Sequence, residues 1–144
     1  MQVFIVGSVW HTACVLDKRR FNKQRLECKQ LLAAISGKSK AYVNHPCAIQ
    51  YRQHVDWLKT YALCLEMYSV GIWEKARELS DKCESMRPDF HTNEYFNQMK
   101  RRLYTKDDMH YSQWRELGKS YENWYWIDNK WKVYHNGKVV KHDK

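Results

Sequence analysis

Five cations and one carboxylate lie close together in residues 18–27. The cations are Lys18, Arg19, Arg20, Lys23 and Arg25, and the added acid is Glu27. One carboxylate cannot neutralise five cations, so the segment suits a polyanion such as nucleic acid, with the acid left for chemistry or positioning. The alternative is a solvated helix face on which Arg20, Lys23 and Glu27 form weak surface ion pairs.

The charge of the whole chain favours a polyanionic partner. The formal net charge is +9 over 144 residues, and residues 17–40 alone contain eight cations against two acids. A hydrophobic content of 44% with 15% aromatic residues excludes a disordered chain and predicts one domain with a substantial core. The aromatic side chains can fill that core or stack on bases.

Several other kinds of site are disfavoured by the sequence. The five cysteines form no C-x-x-C pair and are odd in number, which predicts reduced thiols rather than a zinc site or a disulfide framework. The histidines have no metal-ligand spacing with acids or cysteines, so we expect no metal. Without a phosphate-binding glycine loop, a signal peptide or a membrane-spanning run, we expect a cytoplasmic monomer that needs no cofactor.

The elements that must position these residues are predicted to be mostly helical. Asp17 is a suitable N-cap for a helix over 18–35, which Gly37 would end. Pro46 predicts the start of a long third helix that reaches Ser69, and its apolar residues on nearly all sides are typical of the centre of a bundle. The other predicted helices cover about 8–16, 72–86 and 93–103, with a short one capped by Asp107 or Asp108.

The chain changes character after Asn123. Aromatic and β-branched residues follow, interrupted by the turn signals Asp128-Asn129 and Asn136-Gly137, which predict an antiparallel hairpin or meander. The predicted fold class is therefore mainly α, a compact bundle of about five or six helices around a central long helix, with this small C-terminal β element. We expect a helical domain at 1–126 and a basic β-hairpin appendage at 127–144 packed on the same domain.

The helix over 18–35 presents two different faces. At 100° per residue, apolar side chains centred on Phe21 form a buried stripe. Arg25 falls inside that stripe, so its guanidinium must find an acceptor or reach the rim. The flank beside the stripe, where the wall of a cleft would lie, is formed by Arg20, Lys23, Gln24 and Glu27.

Three motifs carry a resemblance to a known family. They are Leu16-Asp17-x-x-Arg20-x-x-Lys23-Gln24-Arg25-x-Glu27, then Asn44-His45-Pro46, then Pro88-x-Phe90-His91 followed by Leu103, Lys106-Asp107 and Tyr111. In this order and spacing they resemble the pyrimidine dimer DNA glycosylases of the endonuclease V type, over residues 1 to about 126. The chain departs from the family pattern at Asp108, where a proline is usual, and from Asp128 onward.

The resemblance implies a mainly helical DNA repair enzyme, a DNA glycosylase with an accompanying AP lyase activity. Such enzymes flip a nucleotide out of the duplex and attack C1′ of its sugar with the N-terminal α-amine, and the resulting imine leads to base loss and β-elimination. The matching catalytic residues here are Met1 and Glu27. The implied partner is double-stranded DNA with a damaged or modified pyrimidine, in a bacterial or phage-infected cell.

A set of DNA-contacting residues follows from the motifs and the charge pattern. The set comprises Lys18, Arg19, Arg20, Lys23, Gln24, Arg25, Asn44, His45, His91 and Lys106. Three of these have an alternative role, because Asn44 or His45 can cap the helix at Pro46, and His91 can cap the helix that follows it.

The identity of the nucleophile has alternatives as well. An α-amine has an ordinary pKa of about 7.7–8.0, against about 10.4 for lysine, so a larger share of it is neutral near pH 7. Because the bulk of Gln2 hinders removal of the initiator residue, the amine would be that of Met1. Residues 1–5 can instead be a buried structural anchor, with Lys23 as the nucleophile.

Three functional classes remain open at this level. The first is the glycosylase, and the second is a non-catalytic DNA-binding protein on the same scaffold, such as a phage-type decoy or anti-defence module. The third is a basic protein that binds an acidic protein surface. Covalent trapping on damaged DNA separates the first from the others, and the salt dependence of DNA binding separates the second from the third.

Overall fold

The computed structural model describes residues 1–135 and 138–142, and its elements are mainly helical. The helices are α1 (Val9–Val15), α2 (Lys18–Ser36), α3 (Pro46–Tyr51), α4 (Val55–Ser69), α5 (Trp73–Ser85) and α6 (Asn93–Lys106), followed by a 3₁₀ helix (Ser112–Leu117). The strands β1 (Trp124–Ile127), β2 (Lys130–His135) and β3 (Lys138–His142) form an antiparallel sheet in that order. The prediction of a mainly α fold with a small C-terminal antiparallel sheet is confirmed.

Helix α2 has the ends that its sequence predicts. The Asp17 carboxylate accepts a hydrogen bond from the Arg20 N–H at 3.4 Å, and Gly37 ends the helix with a left-handed φ of 82°. Tyr111 holds the cap in place, because its hydroxyl donates to the Asp17 carboxylate and accepts from the Asp17 N–H at 2.9 Å. The basic helix is therefore fixed at its first turn by a residue from the far end of the chain.

The predicted long third helix is wrong, since the chain forms two helices, α3 and α4. The break lies at residues 52–54, where His54 leaves the helical region (φ −129°, ψ 38°) and its N–H bonds to Tyr51 O at 2.8 Å. Each helix then buries a face of its own, and Tyr51 stacks on Trp57 across the break with ring centroids 5.5 Å apart. The apolar residues that would surround a single long helix therefore belong to two helices, each with its own buried face.

The core centres on α4, which packs against α1, α2 and α5. Trp57 on α4 stacks on Tyr61 at 5.0 Å, and the His91 ring meets the edge of this stack 4.7 Å from Trp57. The helix is shorter than predicted, but it holds the central position that the sequence assigns to the third helix. Its buried aromatic rings form the surface against which the N-terminal residues pack.

The C-terminal sheet is built on a tight turn at Asp128-Asn129. Both residues have positive φ, 54° and 59°, as a type I′ hairpin turn requires, and Trp126 pairs with Trp131 across β1 and β2. Strand β1 packs on α3 and begins at Trp124, directly after Asn123, where the sequence changes character. The predicted Asn136-Gly137 turn lies outside the described residues.

The described part of the chain offers neither a membrane span nor a metal centre. None of its helices combines the length and apolar character needed to cross a bilayer. None of its groups of His, Cys, Asp and Glu side chains could hold a metal ion. All five cysteines are free thiols, with Cys14 exposed and the other four buried.

Candidate active site

Residues 1–6 form an extended segment that crosses the core outside the β-sheet. Its backbone is satisfied by side chains rather than by a neighbouring strand. Gln24 donates from Nε2 to Gln2 O at 2.9 Å and accepts from the Phe4 N–H, while the Tyr61 hydroxyl donates to Phe4 O at 2.6 Å. Because unpaired backbone groups are costly in a core, these contacts fix the path of the segment. Gln24 therefore has a structural role in addition to any role at a binding site.

The first residue lies at the end of this buried segment. The Tyr125 hydroxyl donates to Met1 O at 2.6 Å, and Gln2 donates from Nε2 to Trp124 O at 3.2 Å. Gln2 is buried and Met1 is half-buried. Strand β1 thus holds Met1 through Tyr125, and helix α2 holds the next residue, Gln2, through Gln24.

A cavity of about 150 Å³ opens where the N-terminal segment meets α2 and α6, and we call it the basic cavity. It brings together Met1, Glu27 and five cationic side chains from two helices. Its lining residues are Met1, Gln2, Phe4, Arg19, Arg20, Lys23, Gln24, Glu27, Arg102, Lys106 and Asn123. The chain's first residue and its proposed catalytic acid therefore share one cavity.

Glu27 belongs to the wall of this cavity rather than to the outer surface. Its residue exposure is 7%, and Oε1 lies 3.8 Å from Lys23 Nζ. The Lys23 side chain is 65% exposed, so solvent screens this long ion pair and it contributes little to stability. A buried carboxylate next to a cavity can accept a proton or stabilise a developing cation there.

The cations of the basic cavity crowd one another. Arg20 forms an ion pair with Asp17 (Nη1 to Oδ2, 3.3 Å), and its Nη2 lies 3.5 Å from Lys106 O. Partial burial of the Lys106 ammonium, followed by the charges of Arg102, Lys23 and Arg20, lowers the pKa of Lys106. The basic cavity consequently has a concentrated positive potential, which attracts an anion.

Arg102 and Asn123 are cavity residues that the sequence interpretation missed. Asn123 precedes β1, and no local pattern marks it. Arg102 had a usable signal, since it stands four residues before Lys106 on α6 and so lies on the same helix face. A basic pair with this spacing predicts a second cationic wall opposite α2.

A second cavity, of about 540 Å³, adjoins the first, and we call it the aromatic cavity. Met1 and Asn123 line both cavities, so the N-terminus lies at their junction. The remaining lining residues are Lys40, Tyr42, Val43, Asn44, His45, Pro46, Tyr125 and Tyr134. A volume of this size is typical of sites for small organic ligands, and a nucleobase belongs to that range.

His45 caps a helix and also lines the aromatic cavity. Its Nδ1 accepts from the Cys47 N–H at 3.0 Å, which places the proton of the neutral ring on Nε2. Burial and the nearby positive N-terminus both lower the pKa of His45, so the ring is neutral near pH 7. The capping role and the position at a cavity are therefore compatible, whereas Asn44 is exposed at the rim and does not cap.

Three predicted DNA contacts are not brought into either cavity. Arg25 is bound by Glu66 through two hydrogen bonds of 3.0 and 2.8 Å, and Lys18 is exposed on the first turn of α2. His91 is only 1% exposed and lies 2.7 Å from the Tyr51 hydroxyl. Its assignment as a DNA contact is corrected, because a side chain enclosed in the aromatic core cannot reach a duplex. Thr92, not His91, caps α6.

The imidazole of His91 is enclosed among the aromatic rings of the core. Burial, with smaller effects of Arg87 and His54, lowers the pKa of His91 to about 3. The ring is therefore neutral at physiological pH and contributes packing and hydrogen bonding.

Fold and site together define a basic helical protein with a cation-lined cavity at its N-terminus. Comparison with protein families then gives a match of residues 1–75, just over half of the chain, to the pyrimidine dimer DNA glycosylase family. The chain belongs to this family, and membership implies DNA glycosylase activity and DNA binding. No curated protein and no solved structure matches the chain. The matched range includes Met1 and Glu27, but it ends before α6 and therefore before Arg102 and Lys106.

Proposed function

We propose that this protein removes a damaged or modified pyrimidine from double-stranded DNA and then cleaves the strand as an AP lyase, using the α-amine of Met1. The observation that carries the proposal is the position of Met1, which shares one cavity with Glu27 and cationic side chains and also borders the larger aromatic cavity. A flipped nucleotide fits this layout, with its phosphate among the cations, its base in the aromatic cavity and its sugar at Met1.

The proposed chemistry assigns one role to each catalytic group. The Met1 nitrogen bonds to C1′ as the bond from C1′ to the base breaks, and the base leaves with that electron pair and takes up a proton. The nitrogen then loses a proton, its lone pair forms the C1′=N bond as the C1′–O4′ bond of the sugar ring breaks, and O4′ takes up a proton, which leaves the protonated imine. Glu27 then removes a proton from C2′, the C3′–O3′ bond breaks, and water hydrolyses the imine to release the amine.

Two lysines compete with Met1 for the role of nucleophile. Lys106 has a lowered pKa and lines the basic cavity, which favours it over Lys23, whose side chain is 65% exposed. Its partial burial among other cations favours the neutral, nucleophilic form of the Lys106 amine more than water does. Met1 remains the first choice because it alone of the three borders both cavities.

Borohydride trapping on a duplex with an ultraviolet-damaged pyrimidine tests the proposal directly. We expect a covalent protein–DNA adduct, and mass spectrometry should locate it on Met1. Acetylation of the N-terminus should abolish the adduct, while Lys106→Arg and Lys23→Arg should retain it. An intact-mass measurement of the purified protein establishes that Met1 is the terminal residue used in the assay.

Other outcomes of the same assay point to the alternatives. An adduct located on Lys106 would keep the imine chemistry but reject Met1 as the nucleophile. Salt-sensitive DNA binding without an adduct or a product on any tested lesion would favour the non-catalytic DNA-binding protein. No DNA binding at low salt would exclude both and leave an acidic protein surface as the partner.

A further inference from the structure

Arg102 is a buried cation without a neutralising acid among the described residues. It is 9% exposed on α6, and its Nη1 donates to Ser120 O at 2.7 Å. Its Nε has no hydrogen-bond partner in the described part of the chain, and no ion pair found there includes Arg102. Buried charges are normally paired, and Arg102 also lines the basic cavity, so its unneutralised guanidinium favours an anionic ligand there.

The surroundings of Arg102 add positive charge instead of cancelling it. Within the basic cavity the other cationic side chains are Arg19, Arg20, Lys23 and Lys106, and Glu27 is the only carboxylate among the lining residues. Burial lowers the pKa of Arg102, which is the direction expected for a cation that has lost water without gaining an acid. Five cations around one small volume favour a compact anion.

The size of the basic cavity limits what that anion can be. Its volume of about 150 Å³ is far smaller than the 540 Å³ of the aromatic cavity. A cavity of roughly 150 Å³ accommodates a molecule of the size of benzene, so it holds one phosphate group but not a nucleotide. The guanidinium fork also matches the geometry of phosphate oxygens better than any other side chain does.

We propose that Arg102 forms the floor of a binding site for a single phosphate group in the basic cavity. In DNA this would be the phosphate next to the nucleotide whose sugar meets Met1, and that part rests on the proposed function. Inorganic phosphate has the same tetrahedral oxyanion chemistry, so binding of the free ion does not depend on catalysis. Arg102 is then a positioning residue, supplied by a helix beyond the range that matches the family.

Inorganic phosphate at constant ionic strength, with chloride as the balancing anion, gives the first test. Saturable binding, measured by calorimetry and by the rise in melting temperature, is expected for the wild type. Arg102→Gln should weaken it about tenfold or more, because a charge-assisted hydrogen bond is lost, and Arg102→Lys should have an intermediate effect. The matched control is Arg101→Gln, since the neighbouring Arg101 donates to Leu117 O at 3.0 Å but does not line the cavity.

The control must keep wild-type phosphate affinity for the result to support the site. Equal phosphate affinity in the wild type and Arg102→Gln would overturn the inference, and so would the absence of saturable phosphate binding by the wild type. If Arg102→Gln fails to fold, the same comparison of phosphate affinities is made between Arg102→Lys and Arg101→Lys.

A duplex with one neutral methylphosphonate beside the lesion gives the second test. Neutralising the phosphate that contacts Arg102 should weaken binding by the wild type about tenfold and have little further effect on Arg102→Gln, since both changes remove the same contact. Equal weakening of both proteins at every phosphate tested would overturn the assignment. If trapping fails on all lesions while phosphate affinity still depends on Arg102, the proposed function is rejected and the phosphate site stands.

Discussion

Helix α2 has cations on two faces, and the two faces differ in whether an acid from elsewhere neutralises them. On one face, Glu66 of α4 binds Arg25 through two hydrogen bonds and lies 3.7 Å from Lys29 Nζ. On the other face, Arg19, Arg20 and Lys23 line the basic cavity with Glu27, and α6 adds two more cations instead of an acid. The first arrangement stabilises the fold, and the second leaves charge available for a ligand.

The comparison shows that the density of positive charge does not by itself locate a binding site. Arg25 and Lys23 are two residues apart and each carries one positive charge, yet the structure gives them different surroundings. The distinguishing property is how tightly the cation is paired. Glu66 binds Arg25 through hydrogen bonds of 2.8 and 3.0 Å, whereas Glu27 lies 3.8 Å from an exposed Lys23. A tightly paired cation has little remaining attraction for a phosphate. The following predictions separate the two faces by variants that change one charge at a time.

The largest expected effect is on catalysis, when the carboxylate of Glu27 is removed. Glu27→Gln should lower the rate of strand cleavage by β-elimination by about 10²–10⁴-fold, the usual contribution of a positioned acid or base, while DNA binding is retained. Single-turnover kinetics of strand cleavage, without borohydride, measure this rate. The control is Glu66→Gln, which removes a carboxylate from the other face and should stay within about twofold of the wild-type rate. Equal losses in both variants would contradict a catalytic role for Glu27.

The next effect is on DNA affinity, from two variants that each remove one positive charge. Lys23→Gln should weaken binding several-fold and reduce the slope of log K against log salt by about one, as loss of one phosphate contact does. Arg25→Gln should leave the slope unchanged, because Glu66 already occupies that guanidinium. Fluorescence anisotropy over a salt series measures both quantities. A lower slope for Arg25→Gln would place DNA on the Glu66 face instead.

The free energy of unfolding should respond in the opposite order, with Arg25→Gln having the larger effect and Lys23→Gln the smaller. Arg25→Gln breaks a bidentate pair whose side chains are each 28% exposed, so the free energy of unfolding should fall by about 1 kcal/mol, at the upper end for partly exposed pairs. Lys23→Gln should change it by less than about 0.5 kcal/mol, since its ion pair is long and exposed. Urea unfolding at neutral pH measures both. A larger loss in Lys23→Gln would mean that the cavity face also stabilises the fold.

The smallest effect is the pH dependence of the Arg25–Glu66 pair. Hydrogen bonds from Arg25, opposed in part by burial, lower the pKa of Glu66 below its ordinary value of 4.5. The stabilisation is therefore fully present above pH 4.5 and is lost as the pH falls through the lowered pKa of the folded state. The stability difference between the wild type and Arg25→Gln should shrink accordingly as the pH falls below 4.5. A difference that stays constant as the pH falls would show that packing, not charge, accounts for it.

The elements predicted best from the sequence are those with local signals. The bounds of α2 follow from the Asp17 cap and the left-handed Gly37, and α6 follows from the Thr92 cap, each within a few residues of the prediction. The Asp128-Asn129 turn was likewise recognised from two adjacent residue types. Such signals act through hydrogen bonds and dihedral preferences that span only a few residues.

The errors arise where distant residues decide the local structure. The break at residues 52–54 has no glycine or proline to mark it, and it is the stacking of Tyr51 on Trp57 that accompanies the change of direction. His91 follows Phe90 in a motif-like position, yet its burial depends on rings from α3 and α4. No spacing rule within one helix can predict such contacts.

The sequence by itself determined that a basic helix runs from Lys18, that Arg20, Lys23 and Glu27 share one of its flanks, and that the chain is strongly positive. These properties follow from composition and from the fixed 100° step of a helix. Only the tertiary structure decided that Met1, Glu27 and Arg102 line one cavity, and that Arg25 is bound by Glu66 outside it. The partners in these contacts come from elements far apart along the chain, so the packing of the whole core sets their positions.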